Sequence, residues 1–493
     1  MLTSVVMCSC NYMLMVTERQ GKRIFFMTIE FNFRHFYNLT VEYVVLENER
    51  FVVMEISRII YDQILKSEYK ALALKKSLET EFVKSQLSND TSVAPSLPLI
   101  IKEKQYKELK KTSEMLFTIM DKTIGLVIDN QSTGTYIRTY RSLWDVIKKE
   151  DTFNSNNIIF ARISGVYDKN DTIRYFEFTS EPSDLLLAEE LLEIYGNIQE
   201  VWESLREINF SFFNKSWKSF ARFLQTCNKK IDFNKKKDVI AIISFQENYG
   251  DRIYYKYLKN NGFNVCKAKP DEFIFNGTEL TYRDLKIKLI IFPQPVKNIT
   301  YFNTDLKPVI DAFTGGKVFI IDAFRSLLAT EKSLFALISD RKNYSFYNDR
   351  EVKFIKKHIP WTRIIRHECT TDIEGNEVDL IDYIIASQDR LVLKKSSDIT
   401  GDHLGPACDM NPMDWKTLVS WILSSKELWV AQEKIEFNSS ERYVIGEDTL
   451  KLKKIFWCVH PYIFNGKFQT CYGKTSDEPV VNADATETLV GFI

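Results

Sequence analysis

The sequence predicts an α/β protein in which helices and strands are mixed along the chain, α/β with α+β character. Residues 235–268 carry an apolar β-branched run, an amphipathic helix that stops at Gly262, and a second apolar run, which together indicate a βαβ unit. Residues 156–180 hold two strand-like runs around a short polar turn, which predicts a β-hairpin. Residues 183–208 follow with strong helical periodicity.

The composition is that of an ordinary soluble globular protein. The 493 residues are enough for about three domains with an ample core. Hydrophobic residues make up 45% and charged residues 27%, and the 66 basic and 66 acidic residues give a formal net charge of zero. A neutral balance argues against nucleic acid or an anionic membrane as the main partner.

The N-terminal stretch argues against a secretory signal. Residues 1–23 are mildly apolar, but no basic region precedes the apolar part and Asn11 interrupts it. The eight scattered cysteines lack a metal-site spacing and are typical of buried thiols in a reducing compartment. No segment approaches membrane-spanning length. The sequence therefore predicts a cytoplasmic protein without a membrane partner.

The remaining elements follow in chain order. Residues 1–65 alternate strand-like runs with polar turns, and the Ser, Pro, Asn and Asp content of residues 85–98 predicts a linker. Helical spacing predicts an amphipathic helix over residues 102–124. Residues 314–341 predict a turn, a strand and a helix, and residues 390–493 alternate strands and helices.

These segments divide the chain into four predicted regions. The first is β-rich, the second combines helices with the hairpin, the third surrounds the βαβ unit, and the fourth completes the chain. Their predicted limits are residues 1–95, 96–235, 236–325 and 326–493.

A series of short motifs runs from residue 96 to the C-terminus. They are LPLIIKEKQYKELKKTSEMLFTIMDKT, FARISGVYD, IRYFEFTSEPSD, IDAFRSLLATEKSLFALISDR, EVKFIKKHIPWTRII, RLVLKKSSDITGDHLG, WVAQEKIEF, HPYIFNGKFQT and PVVN. In this order they resemble the circularly permuted ATP-grasp family, the relatives of glutathionylspermidine synthetase. Each match is short, and the shared order makes the resemblance specific.

The resemblance implies an ATP-grasp architecture with a Rossmann-like βαβ pre-ATP-grasp subdomain. It also implies ATP and Mg²⁺ as cofactors, with ATP held between two antiparallel sheets. In such enzymes a carboxylate attacks the γ-phosphate, and an amine or thiol captures the acyl phosphate. This chemistry needs cations on the triphosphate, Mg²⁺ between β- and γ-oxygens, and a hinge for adenine. The implied partners are a small-molecule carboxylate and an acceptor: a small amine, an amino acid or a carrier thiol.

Two lysines match the ATP-binding lysines of the family. Lys394 ends the apolar strand 391–393 beside a glycine-containing loop, where a family lysine points at the α- and β-phosphates. Lys332, in TEKSLFALI, matches the other one. Most lysines are solvated surface charges. The apolar strand favours the functional interpretation for Lys394, whereas both interpretations stay open for Lys332.

WVAQEKIEF is the candidate adenine hinge. In the resembled family a Gln-Glu pair borders adenine, here Gln432 and Glu433, and a following acid, here Glu436, holds the ribose hydroxyls. Without the neighbouring motifs the same residues would be interpreted as the polar end of a strand. Together with the two lysines, these are the expected cofactor-binding residues.

The hairpin that should hold Mg²⁺ departs from the family pattern, which is Arg-x-Asp on one strand and Glu-x-Asn on the next. This chain has Arg162-x-Ser164 and Glu177-x-Thr179 instead. Alternate residues of paired strands share a face, so these side chains are expected to face one cleft. Arg162 and Glu177 are the expected catalytic residues. Glu177 and Thr179 are the expected metal ligands, although a hydroxyl binds a hard cation weakly.

Other acidic residues nearby in the sequence are candidates to replace the missing metal ligand. They are Asp168, Asp171, Glu181 and Asp184.

The phosphate loop after Lys394 also departs from the family, which has roughly Gly-Gly-Lys-Gly there. Gly401 and Gly405 remain as expected nucleotide contacts, but Asp402 stands where the lysine would fall. An aspartate repels a triphosphate unless Mg²⁺ or a protonated His403 offsets its charge.

Further residues near these motifs carry alternative interpretations. Cys458 and His460 lie two apart on a predicted strand and share a face, but a buried thiol is commoner than a catalytic pair. Arg325 is either a cleft cation or part of a structural salt bridge. Thr362 and Arg363 follow a Pro-Trp pair and are expected to be architectural or at the rim of the cleft.

Two functions stay open. The first is an ATP-dependent ligase that activates a carboxylate as an acyl phosphate and transfers it to an amine or thiol acceptor. The second is a non-catalytic ATP-grasp scaffold that binds a partner protein or ligand, which the changes at Ser164, Thr179 and Asp402 favour. The ligase is preferred, because a fully relaxed site would be expected to lose the retained residues as readily. These residues are Arg162, Glu177, Lys332, Lys394, Gln432 and Glu433.

Overall fold

The computed structural model divides the chain into two compact units, residues 1–63 and 64–493. The predicted limits at residues 95, 235 and 325 stay predictions. The structure describes residues 4–7, 12–19, 22–32, 38–46, 68–85, 98–130, 133–150, 156–180, 184–199, 211, 216–231, 233–235, 237–244, 249–293, 305–321, 323–398, 410–445, 450–477 and 486–492.

The first unit contains an antiparallel sheet whose strands pair in chain order, β1-β2-β3-β4. This agrees with the β-rich pattern of the N-terminal sequence. The strands are β1 (Ser4–Met7), β2 (Tyr12–Arg19), β3 (Lys22–Asn32) and β4 (Asn38–Leu46).

Helices occur throughout the described part of the second unit. They are α1 (Glu68–Lys84), α2 (Glu103–Asp129), α3 (Trp144–Lys149), α4 (Leu187–Asn197), α5 (Ser216–Ile231), α6 (Tyr249–Asn260), α7 (Lys307–Thr314), α8 (Ser333–Ser339), α9 (Asp349–His358), α10 (Leu380–Ala386) and α11 (Pro412–Ser424). Within the described ranges, each helix is too short or too polar to cross a lipid bilayer.

The amphipathic helix predicted over residues 102–124 is α2. Its apolar residues recur at helical spacing, so Leu109, Leu116, Met120 and Ile124 are all fully buried. Burial of a leucine stabilises a fold by about 1.5–3 kcal/mol, so this stripe fixes α2 firmly against the sheet it covers.

The largest sheet has seven described strands in the order β5-β22-β21-β20-β6-β7, with β19 also paired to β20. The hairpin predicted from the sequence is β6-β7, and its turn places Asp171 at a φ of 59°. The strands are β5 (Leu99–Ile101), β6 (Phe160–Tyr167), β7 (Ile173–Thr179), β19 (Asn438–Ile445), β20 (Leu450–Phe464), β21 (Lys467–Ser476) and β22 (Thr486–Phe492).

A second sheet is mainly parallel and contains the predicted βαβ unit. Strands β8 and β9 are parallel with α6 between them, and Gly262 follows the helix at a φ of 73°. Strand β12 pairs in parallel with β8 and β13 and antiparallel with β11, which pairs with β10. The strands are β8 (Val239–Ile243), β9 (Val265–Ala268), β10 (Phe273–Phe275), β11 (Leu280–Tyr282), β12 (Leu285–Ile291) and β13 (Phe319–Ile321).

A smaller antiparallel sheet, with β18 between β14 and β17 among its described strands, has its own core on one face, while Ile364 and Val430 belong to the main core. Trp361, Leu391, Trp415 and Trp429 are buried in that core together with α10 and α11. The strands are β14 (Thr362–Ile364), β17 (Leu391–Lys395) and β18 (Trp429–Glu433), with the neighbouring ribbon of β15 (Cys369–Thr371) and β16 (Glu377–Asp379).

Candidate functional site

The seven-stranded sheet and the smaller sheet meet along β7. The Arg174 guanidinium lies 2.8 Å from a carboxylate oxygen of Glu433 on β18. The Lys394 ammonium on β17 lies 5.2 Å from the centroid of the Phe176 ring. The two sheets are therefore in contact here. We call the charged and amide side chains between them the sheet junction, which comprises Arg162, Glu177, Lys332, Lys394 and Gln432.

Glu177 is the carboxylate of the sheet junction. Lys332 places its ammonium 3.1 Å from Glu177 Oε1. Burial alone would raise the pKa of this carboxyl, but three nearby cations outweigh burial and hold the pKa at about 2. These cations are Lys332, Arg162 and Lys394. Glu177 is therefore a carboxylate at any physiological pH.

Lys394 enters the junction from the smaller sheet. Its ammonium donates a hydrogen bond to Gln432 Oε1 at 2.7 Å. Gln432 is 1% exposed, and its Nε2 donates to Thr362 Oγ1 at 3.2 Å, which fixes the amide with its oxygen toward the lysine. Burial lowers the pKa of Lys394 to about 8; the charge of Glu177 opposes this shift and that of Lys332 adds to it.

Lys332 is held where β17 leads into the phosphate loop. Its backbone N–H donates to Ser396 O at 2.9 Å, and its ammonium contacts the carbonyl oxygen of Asp398. The residue is 8% exposed, so the interpretation of Lys332 as a solvated surface charge is wrong. The two lysines matched from separate motifs thus lie in one place.

Ser164 links Glu177 to two residues of β20. Register places Ser164 opposite Glu177, and the serine hydroxyl donates to Glu177 Oε2 at 3.3 Å. The same hydroxyl lies 3.0 Å from His460 Nδ1, and His460 Nε2 lies 3.1 Å from Cys458 Sγ. Ser164, His460 and Cys458 are all buried. We call Cys458, His460 and Ser164 the thiol relay.

The direction of each hydrogen bond in the thiol relay follows from the ionised Glu177. A carboxylate only accepts, so Ser164 donates to it and accepts from His460 Nδ1–H. The histidine Nε2 then accepts from the Cys458 thiol. Burial lowers the pKa of His460 well below its usual range and raises the pKa of Cys458 to about 12, so both groups are neutral, as this order requires. The relay is therefore not an activated thiolate.

Arg162 is oriented by the buried carboxylate of Asp184, one of the candidates to replace the missing metal ligand. Its Nη1 lies 3.5 Å from Asp184 Oδ2. Tyr462 donates to the same oxygen at 2.7 Å, and the Tyr249 hydroxyl donates to Oδ1. Asp184 thus serves as a structural anchor for Arg162 rather than as a free oxygen donor.

The donor set does not fit a divalent metal ion held by the protein. Glu177 gives one oxygen to Lys332 and the other to Ser164. The expected second ligand, Thr179, is a neutral hydroxyl opposite Arg162 in the register. Three cations surround this set, whereas Mg²⁺ favours several oxygen ligands of net negative charge. Within the described ranges no three His, Cys, Asp or Glu side chains converge as a metal site.

The candidate hinge divides between the two faces of β18. Gln432 faces the sheet junction, whereas Glu433 pairs with Arg174 and accepts the Trp361 N–H at 3.1 Å. Glu436 is exposed beyond the strand. Their predicted contacts with adenine and ribose stay predictions.

Several other candidates have structural roles. Arg325 donates from Nε to Ile147 O at 2.9 Å and from Nη1 to Asn157 Oδ1 at 3.2 Å, so the structural interpretation is favoured. Arg363 is 2% exposed and hydrogen-bonds to Thr370 Oγ1, which makes it architectural.

Two of the acidic candidates lie in the hairpin turn. Asp168 accepts backbone N–H groups of Asn170 and Thr172, and Asp171 accepts from Gln105 Nε2. These contacts stabilise the turn, so a role for either aspartate as the replacement metal ligand is not favoured.

The rest of the predicted site lies outside the described residues. This applies to Gly401, Asp402, His403 and Gly405 of the phosphate loop and to Glu181. Their predicted roles stay predictions.

No sequence pattern indicates the contact between the β6-β7 hairpin and β20. His460 was considered only as a partner of Cys458, a signal given by their spacing of two residues. The contact with Ser164 spans 296 positions in the sequence and left no local pattern. The role of Asp184 as the anchor of Arg162 was missed for the same reason.

Comparison with known proteins shows the fold. No family profile and no curated protein matches the chain. A glutathione synthetase-like effector from Globodera pallida, in its apo form, aligns with a TM-score of 0.51 and 9% identity over 89% of this chain and 98% of that chain. The chain therefore shares the fold of this effector, and the predicted mixed α/β class is confirmed at that level. A putative γ-glutamylcysteine synthetase from Methylobacillus flagellatus aligns with a TM-score of 0.37 and 10% identity over 75% of this chain and 84% of that chain.

Proposed function

We propose that this chain is an ATP-dependent ligase that activates a carboxylate as an acyl phosphate and passes it to an amine or thiol acceptor. The observation that carries the proposal is the grouping of Arg162, Lys332 and Lys394 around the carboxylate of Glu177, where the seven-stranded sheet contacts the smaller sheet. Cations in excess of carboxylates, partly shielded from water, are what the charge of a triphosphate requires.

In this proposal each junction residue has a task. Lys332 and Lys394 bind phosphate oxygens, and Arg162 stabilises the charge on the phosphoryl group during transfer. Gln432 fixes Lys394 in place and borders adenine, with Glu433 and Glu436 at the base and ribose. ATP supplies the phosphoryl group that makes the carboxylate a good acyl donor.

The finer architecture belongs to the same proposal. We infer that the ATP-grasp arrangement is circularly permuted and that the parallel sheet around α6 is its Rossmann-like pre-ATP-grasp subdomain. The parallel pairing of β8 with β9 and β12 supports the second part. The structural neighbour is described as glutathione synthetase-like, which agrees with a ligase that forms amides.

Binding of ATP to Lys394→Ala tests the proposal, because the adjacent Lys395 offers a matched control. Lys395 lies on the other face of β17, where its ammonium is 2.5 Å from Glu427. Calorimetry should give an ATP Kd of about micromolar for the unmodified chain and a loss of about tenfold or more in Lys394→Ala. Lys395→Ala should bind within about twofold of the unmodified chain, since an exposed ion pair contributes little.

A non-catalytic scaffold is the second candidate, because Ser164 is committed to His460 rather than offering a metal-binding carboxylate. Release of ADP in the presence of carboxylates and amines or thiols separates the two functions. ADP release that depends on both substrates supports the ligase. ATP binding without ADP release across such a panel supports the scaffold, and the absence of ATP binding at millimolar concentration ends the ligase proposal.

A further inference from the structure

The oxygens of Glu177 are already used within the protein. Oε1 faces the Lys332 ammonium at 3.1 Å, and Oε2 accepts from Ser164 at 3.3 Å. Ser164 is itself held by His460 on β20. A metal ion at this carboxylate would have to displace an ammonium or break the thiol relay, each of which is buried.

The charges of the sheet junction point to an anion alone. Among the described residues, Arg162, Lys332 and Lys394 carry three positive charges, against the carboxylates of Glu177 and of Asp184, which pairs with Arg162. The excess is one positive charge. A divalent cation in this space would be repelled, and a polyanion would be attracted, more strongly than in bulk water, because Lys332 and Asp184 are buried and the other charged groups are only partly exposed.

We propose that the sheet junction binds the polyphosphate of its nucleotide as the metal-free anion, with the Lys332 ammonium in place of the metal ion that Glu177 would otherwise hold. This inference rests on the proposed function and deepens it, since it names the form of ATP that the site takes. Glu177 holds the Lys332 ammonium at the place where the phosphates would bind. The site therefore carries this positive charge permanently, whereas a metal site is positively charged only when its ion is bound.

The first test compares ATP binding to the full chain by calorimetry in EDTA and in excess Mg²⁺. Free ATP should bind as tightly as Mg²⁺-ATP or more tightly, because the full negative charge meets the junction. Inorganic tripolyphosphate in EDTA should bind as well. ATP binding that is about tenfold or more weaker in EDTA overturns the inference but leaves the proposed function standing. No ATP binding in either buffer removes the proposed function and this inference together.

Glu177→Gln distinguishes the two roles of this residue by the sign of its effect. If Glu177 is only the counter-charge, its removal should tighten metal-free ATP binding by about threefold to tenfold. If Glu177 holds a metal ion, the same change should weaken Mg²⁺-ATP binding by about tenfold or more. Thermal unfolding of the variant without nucleotide confirms that it is folded.

Ser164→Asp restores the carboxylate of the resembled metal pattern and provides a second, independent variant. Its matched control is Ser164→Asn, which has the same shape and also disturbs His460 but adds no charge. Ser164→Asp should weaken ATP binding in EDTA, and Mg²⁺ should restore it, whereas Ser164→Asn should show no response to Mg²⁺. A response to Mg²⁺ in the unmodified chain as large as that of Ser164→Asp contradicts the proposal.

Discussion

Lys394 owes its chemistry to where a strand ends. Strand β17 carries it into the space between two sheets, where burial lowers its pKa to about 8. The charge of Glu177 raises this pKa, Lys332 lowers it, and the Phe176 ring and Gln432 complete the surroundings. A lysine of this kind loses its proton within the range in which proteins are ordinarily studied.

ATP affinity should therefore fall as the pH rises above about 8. A bound triphosphate favours the charged ammonium, so its binding raises the pKa of Lys394. Affinity should be flat below the pKa of the free protein and fall by about tenfold per pH unit above it, until the pKa of the complex is reached. Phosphate groups are already fully ionised there, because their second pKa is about 6. Calorimetry from about pH 6.5 to about pH 9.5 measures this slope, because that range lies on both sides of the pKa of Lys394 in the free protein.

Lys394→Arg is the control for this slope, because a guanidinium stays charged throughout. Its ATP affinity should be nearly independent of pH over the same range. An equal fall in this variant would assign the titration to another group of the junction.

At the scale of single residues, the members of the sheet junction were predictable from the sequence, but the contacts between them were not. Arg162, Glu177, Lys332 and Lys394 were all predicted as site residues from separate motifs. Their pairing was not predictable, because Lys332 and Glu177 meet only once the two sheets are in contact. The substitution at Ser164 was visible in the sequence, whereas the hydrogen bond that explains its new role was not.

Asp184 joins separate elements into one support for the site. Tyr249 begins α6 beside the parallel sheet, Tyr462 belongs to β20, and Arg162 belongs to β6. All three direct polar groups at the same carboxylate, which is buried. A buried charge with several hydrogen bonds is costly to disturb, because its partners are left unsatisfied.

Asp184→Asn should destabilise the fold by about 3 kcal/mol. The amide keeps the shape of the carboxylate but removes the negative charge that Arg162 faces. Its NH₂ group cannot accept the hydrogen bond that a tyrosine hydroxyl donates to the carboxylate. Chemical unfolding of the full chain measures the loss. Asp477→Asn is the control, because Asp477 pairs with Lys453 on the exposed surface and should cost less than about 1 kcal/mol. Equal losses in both variants would show that Asp184 is not an anchor.

Elements with strong periodicity were predictable, and those set by distant packing were not. The apolar stripe of residues 102–124, the hairpin and the βαβ unit each fix their own structure locally. Residues 314–341 were predicted as a turn, a strand and a helix, yet a 3₁₀ segment over Phe324–Thr330 separates β13 from α8. Arg325 in that segment bonds to carbonyls and an amide of residues 147–157, a tertiary restraint that periodicity does not encode.

The sheet junction draws on parts of the chain that are far apart in sequence. The hairpin β6-β7 contributes Arg162 and Glu177, the start of α8 contributes Lys332, and the smaller sheet contributes Lys394 and Gln432. A ligand that contacts all of them bridges the seven-stranded sheet and the smaller sheet. Its binding energy should therefore appear in the stability of the second unit, which contains both sheets.

ATP should raise the unfolding temperature of the chain, and the rise should grow with the logarithm of the ATP concentration once that concentration exceeds Kd. At about one hundred times its Kd a ligand stabilises the folded state by about 2.7 kcal/mol, which corresponds to a rise of a few degrees for a protein of this size. Lys394→Ala should lose most of this rise, and Lys395→Ala should keep it. AMP at the same concentration should stabilise the chain little, because it lacks the β- and γ-phosphates that three cations are placed to bind. Equal shifts with AMP and ATP would mean that the binding energy comes from adenine and ribose and that the cations of the junction serve the fold alone.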